Sequence, residues 1–396
     1  MQRLLFTDLP TDKIWQILIQ LSYQDIINVC KASNKLSIFC ADDAFWREKA
    51  FRDFRFPRRH FDRPGLKPHL RFLQLSVDIL DSTFGVCRAA LTHDLPLVAF
   101  LIKDKGAVLA NCMLRSKMRD ILNNRADRLP GYIGSLVRQI VLNNALDVAA
   151  RVGDLPILRY IYNNYDFTKS TALFMSIIHT MAIQQEDYDI RLLVSGIIDR
   201  MAKSAVVSSI TSGNMEVYEY LVEKYNDISR IHGDVSSGIL INDIGDMAEA
   251  AAKNKDVRMI EELLNIRRLG IINTTFDEEG DFLMIVVYRT FLIDPNLAIH
   301  IINKYFDPNR LFVDYLNSPI ETDYKFVVWL AKTYRLGRNT LNEAFINIAG
   351  YLNNEQIDLL VGLGANAYNE AIQKAMDLIV VPEGTIEHLK ALRDSK

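Results

Sequence analysis

The chain has 396 residues, 49% hydrophobic, 24% charged and 10% aromatic, a composition that supports a sizeable core and excludes a disordered chain. Lys and Arg number 46 against 49 Asp and Glu, a net charge of −3, so no global charge draws the chain to nucleic acid or an anionic membrane. The longest apolar run, Phe282 to Tyr288, is seven residues, too short to span a bilayer. Cys30, Cys40, Cys87 and Cys112 show no C-x-x-C spacing, and the first 20 residues lack the apolar centre of a signal peptide. That predicts reduced thiols in a cytosolic or nuclear protein.

Residues 1–52 carry helical periodicity broken by cap signals. In the stretch Leu9 to Leu21, Pro10 suits a first helical turn, and Ile14, Ile17, Leu18 and Leu21 make one apolar stripe. Ser22 and Asp25 form an S-x-x-D cap for a second helix striped by Ile26, Val29 and Cys30, and Trp46 closes a third or fourth. Forty residues hold a small core, so much of this apolar surface is expected to stay exposed unless a partner covers it.

The Leu9-Pro10 opening, the I-x-x-I-L-x-x-L run from Ile14, the V-C-x-x-S run from Val29 and the closing Phe45-Trp46 resemble an F-box over residues 9 to about 50. Asn34-Lys35-Leu36 departs from it, standing where many members have Arg-x-Trp. The resemblance implies that Leu9, Pro10, Ile14, Leu18, Ile26 and Val29 dock a Skp adaptor and, through it, a cullin. It further implies that a carboxy-terminal domain holds the protein to be ubiquitinated, making the chain a substrate-receptor subunit of a cullin-RING ligase.

Residues 53–68 (DFRFPRRHFDRPGLKP) hold three prolines, one glycine and no apolar period, which reads as a linker. Arg52, Arg55, Arg58, Arg59, Arg63, Lys67 and Arg71 interleave there with Phe54, Phe56 and Phe61. Such a mixture can bind nucleic acid; the simpler reading, preferred here, is a solvated linker whose phenylalanines pack on the first repeat helix.

From residue 69 to 396 the signal is internal repetition. Ala89 to Leu101 matches Ala149 to Ile161 and Ser209 to Leu221 without a gap, at steps of sixty residues, and weaker copies follow at Ala251–Leu264, Asp294–Ile302, Asp323–Leu330 and Asn354–Leu360. Each sixty-residue step is read as two units. Small residues such as Ala149 and Ala150 end one helix, Gly153 or Gly213 reverses the chain, and Asp154 or Asn214 caps the next. Leu155, Leu158 and Ile161 then face an adjoining unit. The fold expected is all-α: a short helical module, then a solenoid of helix pairs.

Gly153-Asp154-Leu155, Gly213-Asn214-Met215 and Leu360 to Ala365 resemble degenerate ankyrin-like repeats, without the Thr-Pro-Leu-His start of that family. An F-box joined to such repeats, with Asn- and Tyr-rich wording, is similar to large families of giant DNA viruses of amoebae; an intracellular bacterial effector is the alternative source. In a solenoid the inter-helix turns line up into one edge, which points to Thr92, His93, Arg151, Val152, Thr211, Ser212, Lys253 and Lys255 as the partner-binding residues. No catalytic, nucleotide-binding or metal-ligating motif is present, the seven histidines being scattered, so no cofactor or metal and no enzymatic activity are expected. The remaining choice lies between a ligase receptor and a non-catalytic scaffold that sequesters a host protein or the adaptor, in either case a monomer within a larger complex.

Overall fold

The computed structural model describes residues 9–113, 142–170, 172–173, 176, 190–232, 241–264, 279–317, 323–349, 354–378 and 384–395. Their regular elements are helices, with no strand among the described residues. Two compact units divide the chain, Met1–Val235 and Ser236–Lys396.

The first unit opens with α1 (Thr11–Leu18), α2 (Tyr23–Ala32), α3 (Asn34–Ala41), α4 (Asp43–Phe54) and α5 (Pro68–Leu80). Ser22 accepts a hydrogen bond from the Asp25 amide (3.2 Å), so this cap begins its helix as the sequence implies, and Asp42 caps α4 by accepting from the Ala44 amide (2.9 Å). Ile14, Leu18, Ile26, Leu36, Phe39, Phe45 and Trp46 are buried. An aromatic chain of Trp15, Phe45, Trp46, Phe72, Tyr23 and Phe54, with centroids 5.1 to 6.1 Å apart, binds α5 to this module.

The stretch expected to be a solvated linker with packed phenylalanines does pack them, and it does so in an ordered form. It contains a short 3-10 helix (Arg58–His60), and Phe56 and Phe61 are fully buried, Phe56 edge-on to Phe100 at 5.1 Å. Arg52, Arg55, Arg58, Arg59 and Lys67 stay exposed, whereas Arg63 is half-buried and Arg71 buried. Arg58 clamps Glu48 with two hydrogen bonds, Arg47 meets Asp62, and the buried Arg71 donates to the Phe61 carbonyl (3.1 Å) and pairs with Asp94 at 2.6 Å.

Six further helices follow among the described residues of the first unit: α6 (Ser82–Leu91), α7 (Leu95–Lys103), α8 (Ala145–Arg151), α9 (Leu155–Asn164), α10 (Ile190–Ser212) and α11 (Met215–His232). The α6–α7 and α8–α9 pairs are joined by one kind of turn. Asp94 N–H donates to Ala89 O and His93 N–H to Ala90 O, and Asp154 and Gly153 repeat this on Ala149 and Ala150: a Schellman turn whose left-handed residue precedes the aspartate that caps the next helix. Asp94 and Asp154 accept from the amides of Leu97 and Ile157.

α6, α8 and α10 pack side by side, with α7 against α9. This corrects the reading of each sixty-residue step as two units. Copies sixty residues apart are direct neighbours in the stack, because the alanines ending α6 and α8 let these helices approach closely; each step is one helix pair plus intervening chain that includes residues 114–141 or 177–189, outside the described residues.

The second unit follows the same plan with shorter steps. Its helices are α12 (Ile241–Lys253), α13 (Val257–Leu264), α14 (Glu279–Ile293), α15 (Pro295–Tyr305), α16 (Pro308–Asn317), α17 (Tyr324–Tyr334), α18 (Arg338–Ile348), α19 (Asn354–Leu363), α20 (Tyr368–Met376) and α21 (Thr385–Asp394). The even-numbered helices pack in series, and each is followed by its own partner. From α14 to α20 they start 29, 30 and 30 residues apart. All four weaker copies fall on the second helix of a pair, and Asp256, Asp294 and Asp323 cap three of them.

The cysteines overturn an expectation. Cys30 on α2 is bonded to Cys40 on α3, and Cys87 on α6 to Cys112, with Cα atoms 6.3 and 5.8 Å apart. Helix packing, which no linear spacing reveals, brings each pair within bonding range. The argument for a cytosolic or nuclear site from reduced thiols therefore lapses.

Candidate functional site

The six residues expected to dock an adaptor divide in two. Pro10 is exposed, and Leu9 and Val29 are half-buried. Ile14, Leu18 and Ile26 are 1, 0 and 0% exposed; a side chain so enclosed offers nothing to a partner, and these three are core. Beyond residue 52, α5 sets Phe72 against Tyr23, Trp46 and Phe54 and so enlarges the module's small core. Ile17 (40%) and Ile38 (57%) are apolar residues that do reach the surface. Ile17 belongs to the apolar stripe read from the sequence, and Ile38 does not.

The second candidate region is the edge of stacked turns in the first unit. His93, Gly153 and Gly213 all have positive φ, at 56°, 73° and 65°. His93 Nδ1 lies 2.8 Å from Asp154 Oδ2, and Asn214 Nδ2 donates to Gly153 O (3.4 Å), so each turn is tied to the next. At the near end Arg63 donates to the Thr92 carbonyl and reaches Asp94. Thr92, His93, Arg151, Val152, Thr211 and Ser212 are thus assembled along one edge.

Their side chains differ in what they can offer. His93, Arg151 and Thr211 are exposed. Thr92 Oγ1 donates to Arg88 O (2.8 Å) and Ser212 Oγ to Ser209 O (2.6 Å), so both hydroxyls are committed to their turn. Arg151 donates to Asn143 Oδ1 (3.0 Å), leaving most of its guanidinium outward. In the second unit Lys253 pairs with Glu249 (2.7 Å) and Lys255 takes the left-handed position of the equivalent turn (φ 54°).

Two buried carboxylates lie on helices behind these turns. Burial pushes Asp147, on α8, up to about 7 against hydrogen bonds from Ser204, Asn144 and Asn143 and the charge of Arg151. Asp78, on α5, is raised to about 6, again by burial, with Arg88 opposing. Both are paired within the fold, Asp147 to the Asn144 amide (3.2 Å) and Asp78 to Arg88 (2.7 Å). Among the described residues no three His, Cys, Asp or Glu side chains gather as metal ligands, and no described helix is long and apolar enough to cross a membrane. Comparison with protein-family models, curated proteins and solved structures finds no match for this chain.

Proposed function

We propose that the chain is a non-catalytic receptor of the F-box type. α1–α4 hold a Skp adaptor, and through it the cullin of a ubiquitin ligase, while the stacked turns hold the protein to be modified. The observation that carries this reading is the joining, within one unit, of a Leu9-Pro10-opened module of four short helices to an edge of turns locked to one another by His93–Asp154 and Asn214–Gly153. A locked edge loses little conformational freedom when a partner binds, so weak contacts along it add up. The adaptor face in this reading comprises Leu9, Pro10, Ile17 and Val29, which reach the surface; Ile14, Leu18 and Ile26 shape it from beneath.

The test is co-purification of adaptor and cullin with the full chain, with and without reductant because Cys30–Cys40 lies in the module. Leu9→Ala with Pro10→Ala is expected to abolish adaptor capture and leave helical circular dichroism unchanged. Adaptor capture that survives the double change, or that never occurs with the wild type, removes the F-box reading. The scaffold alternative uses the same surfaces; a captured partner that gains no ubiquitin under proteasome inhibition selects it.

A further inference from the structure

Helix α5 carries its charge inward and its aliphatic side chains outward. The Arg and Asp within Pro68–Leu80 are Arg71 and Asp78, exposed only 1% and 0%. Arg71 is held by Asp94 and Asp78 by Arg88. Leu70, Leu73, Val77 and Leu80 face solvent, exposed 41, 38, 42 and 81%, while Phe72 and Leu75 fill the core on the other side. A helix apolar on both faces is one that buries both, and within the described chain only one face of α5 is covered.

We propose that a second copy of this chain covers the seam, the two α5 helices pairing antiparallel about a two-fold axis. Spacing identifies the occupant as a helix: residues 70, 73, 77 and 80 repeat at intervals of three, four and three, the a and d positions of a coiled coil, over about 15 Å. The ends of the seam identify it as this same helix. Exposed Lys67 and the positive end of the helix dipole lie at one end, and Asp81 and the negative end lie at the other. Between them the flanking positions are His69, Gln74 and Ser76, which carry no acidic or permanently basic group for a partner of another charge pattern to read.

Such a patch matches itself when inverted, as an isologous interface requires. Two heptads are short for a coiled coil, so the dimer is expected to form over the micromolar range, at the weak end of specific interfaces. Exposed Ile38, on α3 which packs against α5, adds apolar surface nearby. The proposal is independent of the adaptor reading, whose residues Leu9, Pro10, Ile17 and Val29 lie before α1 and on α1 and α2, and it departs from the monomer expected from sequence.

Sedimentation velocity of the full chain over that concentration range tests it. The wild type is expected to move from one chain toward two, and Leu73→Asp with Val77→Asp to stay at one, with thermal stability and circular dichroism retained because both side chains are partly in solvent. Should that variant misfold, Leu80→Lys at the most exposed position replaces it. Direction is read by oxidation of Leu70→Cys with Leu80→Cys: the antiparallel pair cross-links between chains only when both changes are present in one chain. A wild type that remains a single chain throughout, a Leu80→Lys variant that dimerises as well as wild type, or single Cys variants that cross-link as fully as the double overturns the proposal.

Discussion

The buried carboxylate of Asp147 makes the stability of the first unit depend on pH in an unusual direction. Asp147 is 1% exposed on α8, one oxygen accepting from Asn144 and the other lacking a hydrogen-bond partner. Burial raises its pKa to about 7, whereas an unfolded Asp titrates near 3.9. The folded chain therefore holds a proton that the unfolded chain has released, so this residue's contribution is fully present below about pH 4 and is lost as pH rises through about 7. Three pH units correspond to about 4 kcal/mol, an upper figure for one group.

Asp147→Asn supplies a permanently neutral side chain that still accepts from the Asn144 amide. Urea denaturation at pH 4 and pH 8 measures the difference. The variant is expected to be more stable than wild type at pH 8 by a few kcal/mol and nearly equal to it near pH 4. Comparing the two proteins cancels Asp78, whose raised pKa acts in the same direction. A variant whose advantage does not grow with pH would refute the argument that burial governs this carboxylate.

The other predictions concern the turns, the core and the sulfurs. Ala at Gly153 places a Cβ 3.4 to 3.5 Å from Ser212 and Asn214 at φ +73°, which is expected to cost about 1–2 kcal/mol in thermal or urea unfolding. Gly at Lys255, whose φ of 54° strains a side chain, is expected to stabilise or be neutral. Leu158→Ala, at a fully buried position, is expected to cost about 2–5 kcal/mol, and Glu219→Ala, at an exposed one, less than about 0.5 kcal/mol; equal costs would show the helix register to be wrong. Thiol titration of the unfolded, unreduced chain is expected to find no free cysteine. Reduction is expected to remove about 3 kcal/mol for each of the loops of 10 and 25 residues that the disulfides close; four free thiols without reductant would remove the pairing.

Local sequence settled where helices begin and how consecutive ones are joined. Ser22, Asp94, Asp154, Asn214, Asp294 and Asp323 each cap a helix through their own side chain, a bond made within three residues and so visible in the order of residues alone. The Ala-Ala-x-x-Gly-Asp wording of Ala149 to Asp154 is a Schellman turn followed by a cap, complete within six residues. Even His93 and Lys255, where glycine is absent, could be placed in the left-handed position by their alignment with Gly153.

Tertiary structure decided whatever depends on two distant segments sharing space. Ile14, Leu18 and Ile26 lie on amphipathic stripes whether a partner or the chain itself covers them; only the packed structure shows that the chain does. The same holds for Arg63 and Arg71, which read as solvated charge until Asp94 is placed beside them. Cysteine pairing, the adjacency of repeats sixty residues apart and the outward seam of α5 belong to the same class. Periodicity states that a helix has an apolar face, but which neighbour covers that face is set by packing between segments far apart in the chain, and packing leaves no mark in the local order of residues.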